Sequence, residues 1–139
     1  MSDTFVGALA DYLVRTRWFG GKGRAFTVTG WAQLGVVPAD GPTVRVLLVD
    51  VAYAEGTATD SHETYQVPLA CYDAAQEHLE YARVGTFTPD DDPPEHAYDA
   101  LHDRAATSGW LEAFSDAFDA PDKVMQTDGL TFHRLPFYT

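Results

Sequence analysis

Val44-Arg45-Val46-Leu47-Leu48-Val49-Asp50-Val51-Ala52-Tyr53 is the stretch that decides the fold. Ten residues dominated by β-branched and aliphatic side chains, with no glycine or proline, predict a β-strand and disfavour a surface helix. Arg45 and Asp50 stand five positions apart and so fall on opposite faces, which leaves neither face wholly apolar. A strand of this kind is expected at the centre of a sheet. Pro38-Ala39-Asp40-Gly41-Pro42 before it and Glu55-Gly56-Thr57-Ala58-Thr59-Asp60 after it are turns.

Working outward, Phe26, Val28, Trp31, Leu34, Val36 and Val37 alternate enough to predict a strand over 25–37, bent at Gly30. On the other side, residues 63–69 alternate as a strand whose end Pro68 places at an edge. Residues 79–87 form a fourth candidate strand. Asp3, Phe5, Leu9, Tyr12 and Leu13 predict a capped amphipathic helix over 3–16, with Arg15 and Arg17 suited to its C-terminal end. After the loop at Asp90-Asp91-Asp92-Pro93-Pro94, the period changes. Tyr98, Leu101 and His102 suggest a helix entered at the prolines, on which Asp99 and Asp103 form an exposed face. Ser108 then caps a second helix carrying Leu111, Phe114, Ala117 and Phe118 on one side, ended by Pro121. Residues 130–135 read as a last strand, followed by an apolar tail from Leu135 to Tyr138. The expected class is α+β: a curved antiparallel sheet of meandering strands, with helices packed against one face.

The 139 residues make one domain, 1–139, with 45% hydrophobic content and enough chain for a real core. A net charge of −12 argues against nucleic acid or an anionic membrane as partner. The start of the chain lacks a signal peptide's pattern, and no apolar run is long enough to span a membrane, so a cytoplasmic location is expected. Cys71 has no cysteine partner and reads as a small buried hydrophobe.

Chemistry is sparse. His62, His78, His96, His102 and His133 include no helical i, i+4 pair, and the carboxylates Asp73, Glu77 and Glu80 around His78 read as a surface turn. No nucleophile elbow, kinase His-Arg-Asp or Asp-Phe-Gly motif, or G-x-G-x-x-G loop occurs. Lys22 is followed by Gly23 and then a strand, which excludes a P-loop. No catalytic, cofactor-binding or metal residue is therefore assigned. One stretch stands apart. Arg15-Thr16-Arg17-Trp18-Phe19-Gly20-Gly21-Lys22-Gly23-Arg24 holds four of the nine basic residues, and residues 1–24 carry a local charge of +2 on an acidic body. Trp18 and Phe19 read as an anchor that packs down. The basic island either docks an acidic surface of a partner or pairs with the chain's own carboxylates. Arg17, Trp18, Phe19, Lys22 and Arg24 are the candidate docking residues.

Arg17 to Arg24, then Leu47 to Tyr53 and Glu63 to Leu69, come in the order found at the start of actinobacterial maltokinases. The segments Tyr98-Asp99-Ala100-Leu101-His102-Asp103 and Gly129-Leu130-Thr131-Phe132-His133 extend the likeness. The chain resembles the N-terminal cap of that family over nearly its whole length. It is also similar to modules fused to trehalose synthase and to stand-alone cap-like proteins. The resemblance implies a cystatin-like cap fused to a kinase core of the aminoglycoside-phosphotransferase type, which uses ATP and magnesium to make maltose 1-phosphate for glycogen and α-glucan synthesis. The residues that bind ATP, magnesium and sugar lie in that core, which is absent from this chain, so none is carried over and the isolated chain is expected not to be a kinase. The implied partner is a kinase N-lobe, in cis or in trans, with a homodimer through the apolar tail as a further expectation. The alternative is a stand-alone protein- or glucan-binding module, in which Trp18, Trp31 or Trp110 would stack on sugar if exposed; burial is the expectation for all three.

Overall fold

A computed structural model describes residues 3–16, 19–20, 23–54, 61–89, 92–122, 124–127 and 129–133. The elements are α1 (Asp3–Leu13), β1 (Phe26–Val37), β2 (Thr43–Tyr53), β3 (His62–Tyr72), β4 (Arg83–Phe87), β5 (Glu95–Asp99), α2 (Arg104–Asp119), β6 (Val124–Thr127) and β7 (Leu130–His133). Two 3₁₀ segments, Glu77–Ala82 and Ala100–His102, lead into β4 and follow β5. The first five strands form one antiparallel sheet in the order β1-β2-β3-β5-β4, and β6 and β7 form a separate hairpin. The α+β class stands, with an open sheet and helices against it. Among the described residues no helix is long and apolar enough to cross a membrane.

The period-two pattern of β2 divides the core. Leu47, Val49, Val51 and Tyr53 face one side, where they meet Phe5, Leu9, Tyr12 and Leu13 of α1. Val44 and Val46 face the other side and pack with Val37, Ala70, and Ala106, Ala113 and Ala117 of α2, closed by Phe132 of β7. The helices therefore take opposite faces instead of sharing one. Small residues make this possible: a Cβ on Gly109 would stand 2.4 Å from the Pro38 carbonyl oxygen, so α2 lies directly against the turn before β2.

The bend expected at Gly30 is a register shift between Val28 and Gly30, with a second between Gln33 and Gly35. The first puts Val28 and Trp31 on the same side, opposite Val51 and Val49, and lets β1 coil over α1. Pro68 lies inside β3, opposite Val46, and not at the strand's end. It is tolerated because β5 pairs only with Leu69–Tyr72, so Pro68 has a ladder partner on one side.

Three local expectations give way. The helix expected after Pro94 is β5, which slots between β3 and β4 and breaks the meander. Its short run of Glu95, His96, Ala97, Tyr98 and Asp99 has Ala97 and Tyr98 fully buried, so tertiary pairing overrides a weak helical period. The candidate strand over 79–87 is a 3₁₀ segment for its first half. Helix α2 begins at Arg104, four residues before Ser108, with the Asp103 carboxylate accepting from the Ala105 N–H at 3.0 Å. Among the described side chains its fully buried positions are alanine and glycine, with Trp110 half-buried against the same core. Leu111 faces outward, and Phe114 is 48% exposed, with its ring edge to face with that of Phe132 at 4.8 Å. The Phe118 side chain lies outside those described. The last strand, β7, ends its described run at His133, and the tail from Leu135 to Tyr138 lies outside the described residues.

Candidate functional site

The described residues of the basic stretch fold back on their own domain. Phe19 is 3% exposed, with its ring 4.9 Å from that of Phe26 and 5.2 Å from that of Tyr65. The Gly20 N–H donates to the Tyr65 hydroxyl at 3.3 Å. The Arg24 guanidinium lies over the Tyr53 ring, 3.7 Å from its centroid. Below that ring the Tyr53 hydroxyl donates to Glu63, and the Tyr65 hydroxyl donates to the same oxygen at 3.1 Å. These contacts tie the segment between α1 and β1 to the ends of β2 and β3. Hydrogen bonding from Tyr53 holds the Glu63 carboxyl below its usual range, with Tyr65 and the Arg24 charge adding to it against a smaller opposing effect of burial. Burial, then the hydrogen bond to Glu63, pushes the Tyr53 phenol up.

Of the five candidate docking residues, Phe19 is thus an interior anchor, and Arg24 is engaged with Tyr53. Arg17, Trp18 and Lys22 lie outside the described residues. Arg15 is not in the last turn of α1; it stands two residues beyond and donates to the Arg83 carbonyl at 3.0 Å. Trp31 is half-buried against Phe5 and Phe87, and Trp110, on α2, is half-buried against the core between α2 and the sheet.

Asp99 and Asp103 contradict the sequence reading most directly. Both are 3% exposed, not surface carboxylates. Asp99 accepts from the Tyr12 hydroxyl and, at 2.9 Å, from the Leu101 N–H. Asp103 accepts from the Tyr72 hydroxyl while capping α2. Each carboxylate thus starts a helical segment and fixes a buried phenol from another element. Burial first, and the neighbouring carboxylate second, push both phenols up. The missed signal was the position of each aspartate immediately before a helical segment, which is an N-cap pattern.

Two concavities flank this region. One, of about 300 Å³, lies at the end of α1 between Tyr12, Arg15, Thr16, Tyr81, Asp99 and His102. The Tyr81 and His102 rings meet edge to face at 5.4 Å. The other, of about 430 Å³, is an apolar groove between β3 and α2, bounded by Pro68, Leu101, Trp110 and Leu111. Leu101 and Leu111 are 59% and 70% exposed there. Among the described residues no three His, Cys, Asp or Glu side chains gather as a metal ion would require.

The family model of the maltokinase N-terminal cap domain matches residues 12–103, from the end of α1 to the cap of α2. That span contains the whole five-stranded sheet, the Phe19–Arg24 clasp and both buried aspartates. The match covers well over half of the chain, and the protein belongs to the maltokinase N-terminal cap domain family.

Proposed function

We propose that this chain serves as the structural and regulatory cap of a maltokinase-like sugar kinase, one that transfers phosphate from ATP, with magnesium, to maltose, giving maltose 1-phosphate for glycogen and α-glucan synthesis. The observation that carries this reading is the family match across residues 12–103. The cap itself contributes no step of phosphoryl transfer. Such a step needs a phosphate cradle, metal-holding carboxylates and a residue that orients the attacking hydroxyl. Its part is to hold the N-lobe of a kinase core in shape, within one polypeptide or as a separate subunit of the cytoplasm. The outer surface of α2, with its exposed leucine, is offered for that contact, and the Arg17–Arg24 stretch is assigned to it on sequence charge alone.

An antibody to this domain, used on extracts of the source cell, tests the reading. A polypeptide near three times 15.3 kDa that phosphorylates maltose in the presence of ATP supports it. A band at 15.3 kDa with a co-purifying core that carries the same activity supports it as well. A 15.3 kDa chain that brings down no maltose-phosphorylating activity overturns it. In the complex, Arg17→Glu is expected to weaken the association; unchanged association removes the basic stretch from the interface.

A further inference from the structure

The cavity at the end of α1 is built from parts that the cap reading leaves unused. Its floor is the Asp99 carboxylate, buried and held by the neutral donors Tyr12 and Leu101. Among the described residues no basic group forms an ion pair with it. Arg15 also lines the cavity, exposed, with one guanidinium nitrogen given to the Arg83 carbonyl and its Cζ 5.2 Å from the centre of the Tyr12 ring. Among the described residues no other hydrogen-bond partner takes the remaining N–H groups of this five-donor fork. The rim is Tyr81, 66% exposed, braced edge-on by His102 with the rings 85° apart.

The ligand chemistry follows from these opposing demands. A lone anion is repelled by Asp99, and a lone cation by Arg15. A neutral molecule with several hydroxyl groups suits both, because a carboxylate accepts from hydroxyls while a guanidinium donates to them. A flat, exposed aromatic ring at the rim suits the apolar C–H face that a sugar ring presents. A volume of about 300 Å³ sits at the lower bound for ligand pockets, which matches one or two small rings and no more. The lining residues come from the end of α1 and the two residues past Val14, from the two 3₁₀ segments and from the end of β5, and all fall within the matched span 12–103.

We propose that this cavity is a saccharide-binding site, taking a pyranose unit whose hydroxyls pair with Asp99 and Arg15 and whose ring face rests on Tyr81. All of its lining residues come from this chain.

The test uses the full 139-residue chain and two probes, D-glucose and maltose, followed by saturation-transfer NMR, with glycine as a zwitterionic control and inorganic phosphate as an anionic one. The expected result is transfer to at least one sugar with a millimolar Kd, and no comparable binding of glycine or phosphate. Tyr81→Ala is expected to weaken that binding about fivefold or more, equal to about 1 kcal/mol, while leaving the urea midpoint in place because Tyr81 is exposed. Absence of transfer up to tens of millimolar sugar overturns the proposal. So does undiminished binding by Tyr81→Ala, which would place the sugar elsewhere. Tighter binding of glycine or phosphate than of either sugar overturns it too.

Discussion

Arg45 and Glu95 meet in a two-pronged ion pair, Nε to Oε1 at 3.0 Å and Nη2 to Oε2 at 3.2 Å, although they belong to β2 and β5, strands that β3 separates. The pair crosses over β3 beside Cys71 and caps the end of the α1-side core, with the guanidinium 5.2 Å from the centre of the Phe87 ring. Both side chains are nearly buried, 12% and 13% exposed. Burial alone opposes the Arg45 charge, but the Glu95 hydrogen bond and charge outweigh it and raise the arginine's pKa. Removing one partner strands the other. Arg45→Met is expected to cost about 3 kcal/mol in urea unfolding, and the double variant Arg45→Met, Glu95→Leu to recover most of that loss. A single variant within about 0.5 kcal/mol of the parent would show that solvent already carries the charge of Glu95.

Cys71 sits under this strap, and its thiol is pushed up to about 12, by burial first and the Glu95 charge second. A raised pKa means the folded state keeps the proton that the unfolded chain loses. The protected thiol's contribution is therefore whole below about 9 and is lost as pH climbs towards 12. At pH 8 the native protein should react with a disulfide reagent only as fast as it unfolds, and at once in urea. Rapid labelling of the folded chain would mean β3 opens locally at that point.

Glu63 gives the opposite sign. Its carboxyl is held below the ordinary 4.5, chiefly by the Tyr53 hydroxyl, so this contact stabilises the fold above that pH and fades as pH falls through the lowered value. In an NMR titration, Tyr53→Phe should bring the Glu63 midpoint back up towards 4.5. An unchanged midpoint would assign the shift to Arg24 and Tyr65 instead.

The hairpin β6–β7 reaches the sheet through Gly129, whose φ of +81° and near contact with the Leu34 carbonyl, 2.4 Å from a would-be Cβ, exclude any side chain. Gly129→Ala should destabilise the chain by about 2 kcal/mol or more, read as a lower midpoint in urea. A shortened chain ending at Asp103, where the family match stops, uncovers Val37, Val44, Val46 and Ala70. It should bind an apolar dye and self-associate where the full chain does not. A well-behaved monomer with the same sheet would make α2 an appendage.

The legible parts of this protein are those where local pattern and tertiary role agree. Val44–Tyr53 reads as a central strand because apolar density and β-branching both follow from burial on two faces. Phe5, Leu9, Tyr12 and Leu13 mark α1 because a single stripe meets a single core. Misreading began where a residue's type and its surroundings part company. Asp99 and Asp103 look like solvent residues, and only the phenols of Tyr12 and Tyr72, 87 and 31 positions away, make their burial possible. Ala106, Gly109, Ala113 and Ala117 of α2 are small enough to lie close to the sheet, so of the face read from the sequence Ala117 is buried, Phe114 only edges onto Phe132, and Leu111 stays exposed. At the docking stretch, the anchoring role of Phe19 was legible from adjacent aromatics beside glycines. The seating of Arg24 on Tyr53 was not, because it depends on a residue 29 positions on in another strand.

The placement of β5 between β3 and β4 has a temporal side. Strands β1, β2 and β3 can zip together in the order in which they leave the ribosome, each beside its predecessor. Strand β4 is made before β5 and finds no seat in the growing sheet until the chain through Asp99 has emerged. The part of the α1-side core built by Val84, Phe87 and Ala97 therefore waits on one late, five-residue strand. The slow step of folding belongs to the arrival of that strand, whose pairing with β3 is the long-range closure of the sheet. Until then the exposed edge of β3 is the part of the nascent cap that a chaperone, or a neighbouring copy, would meet first.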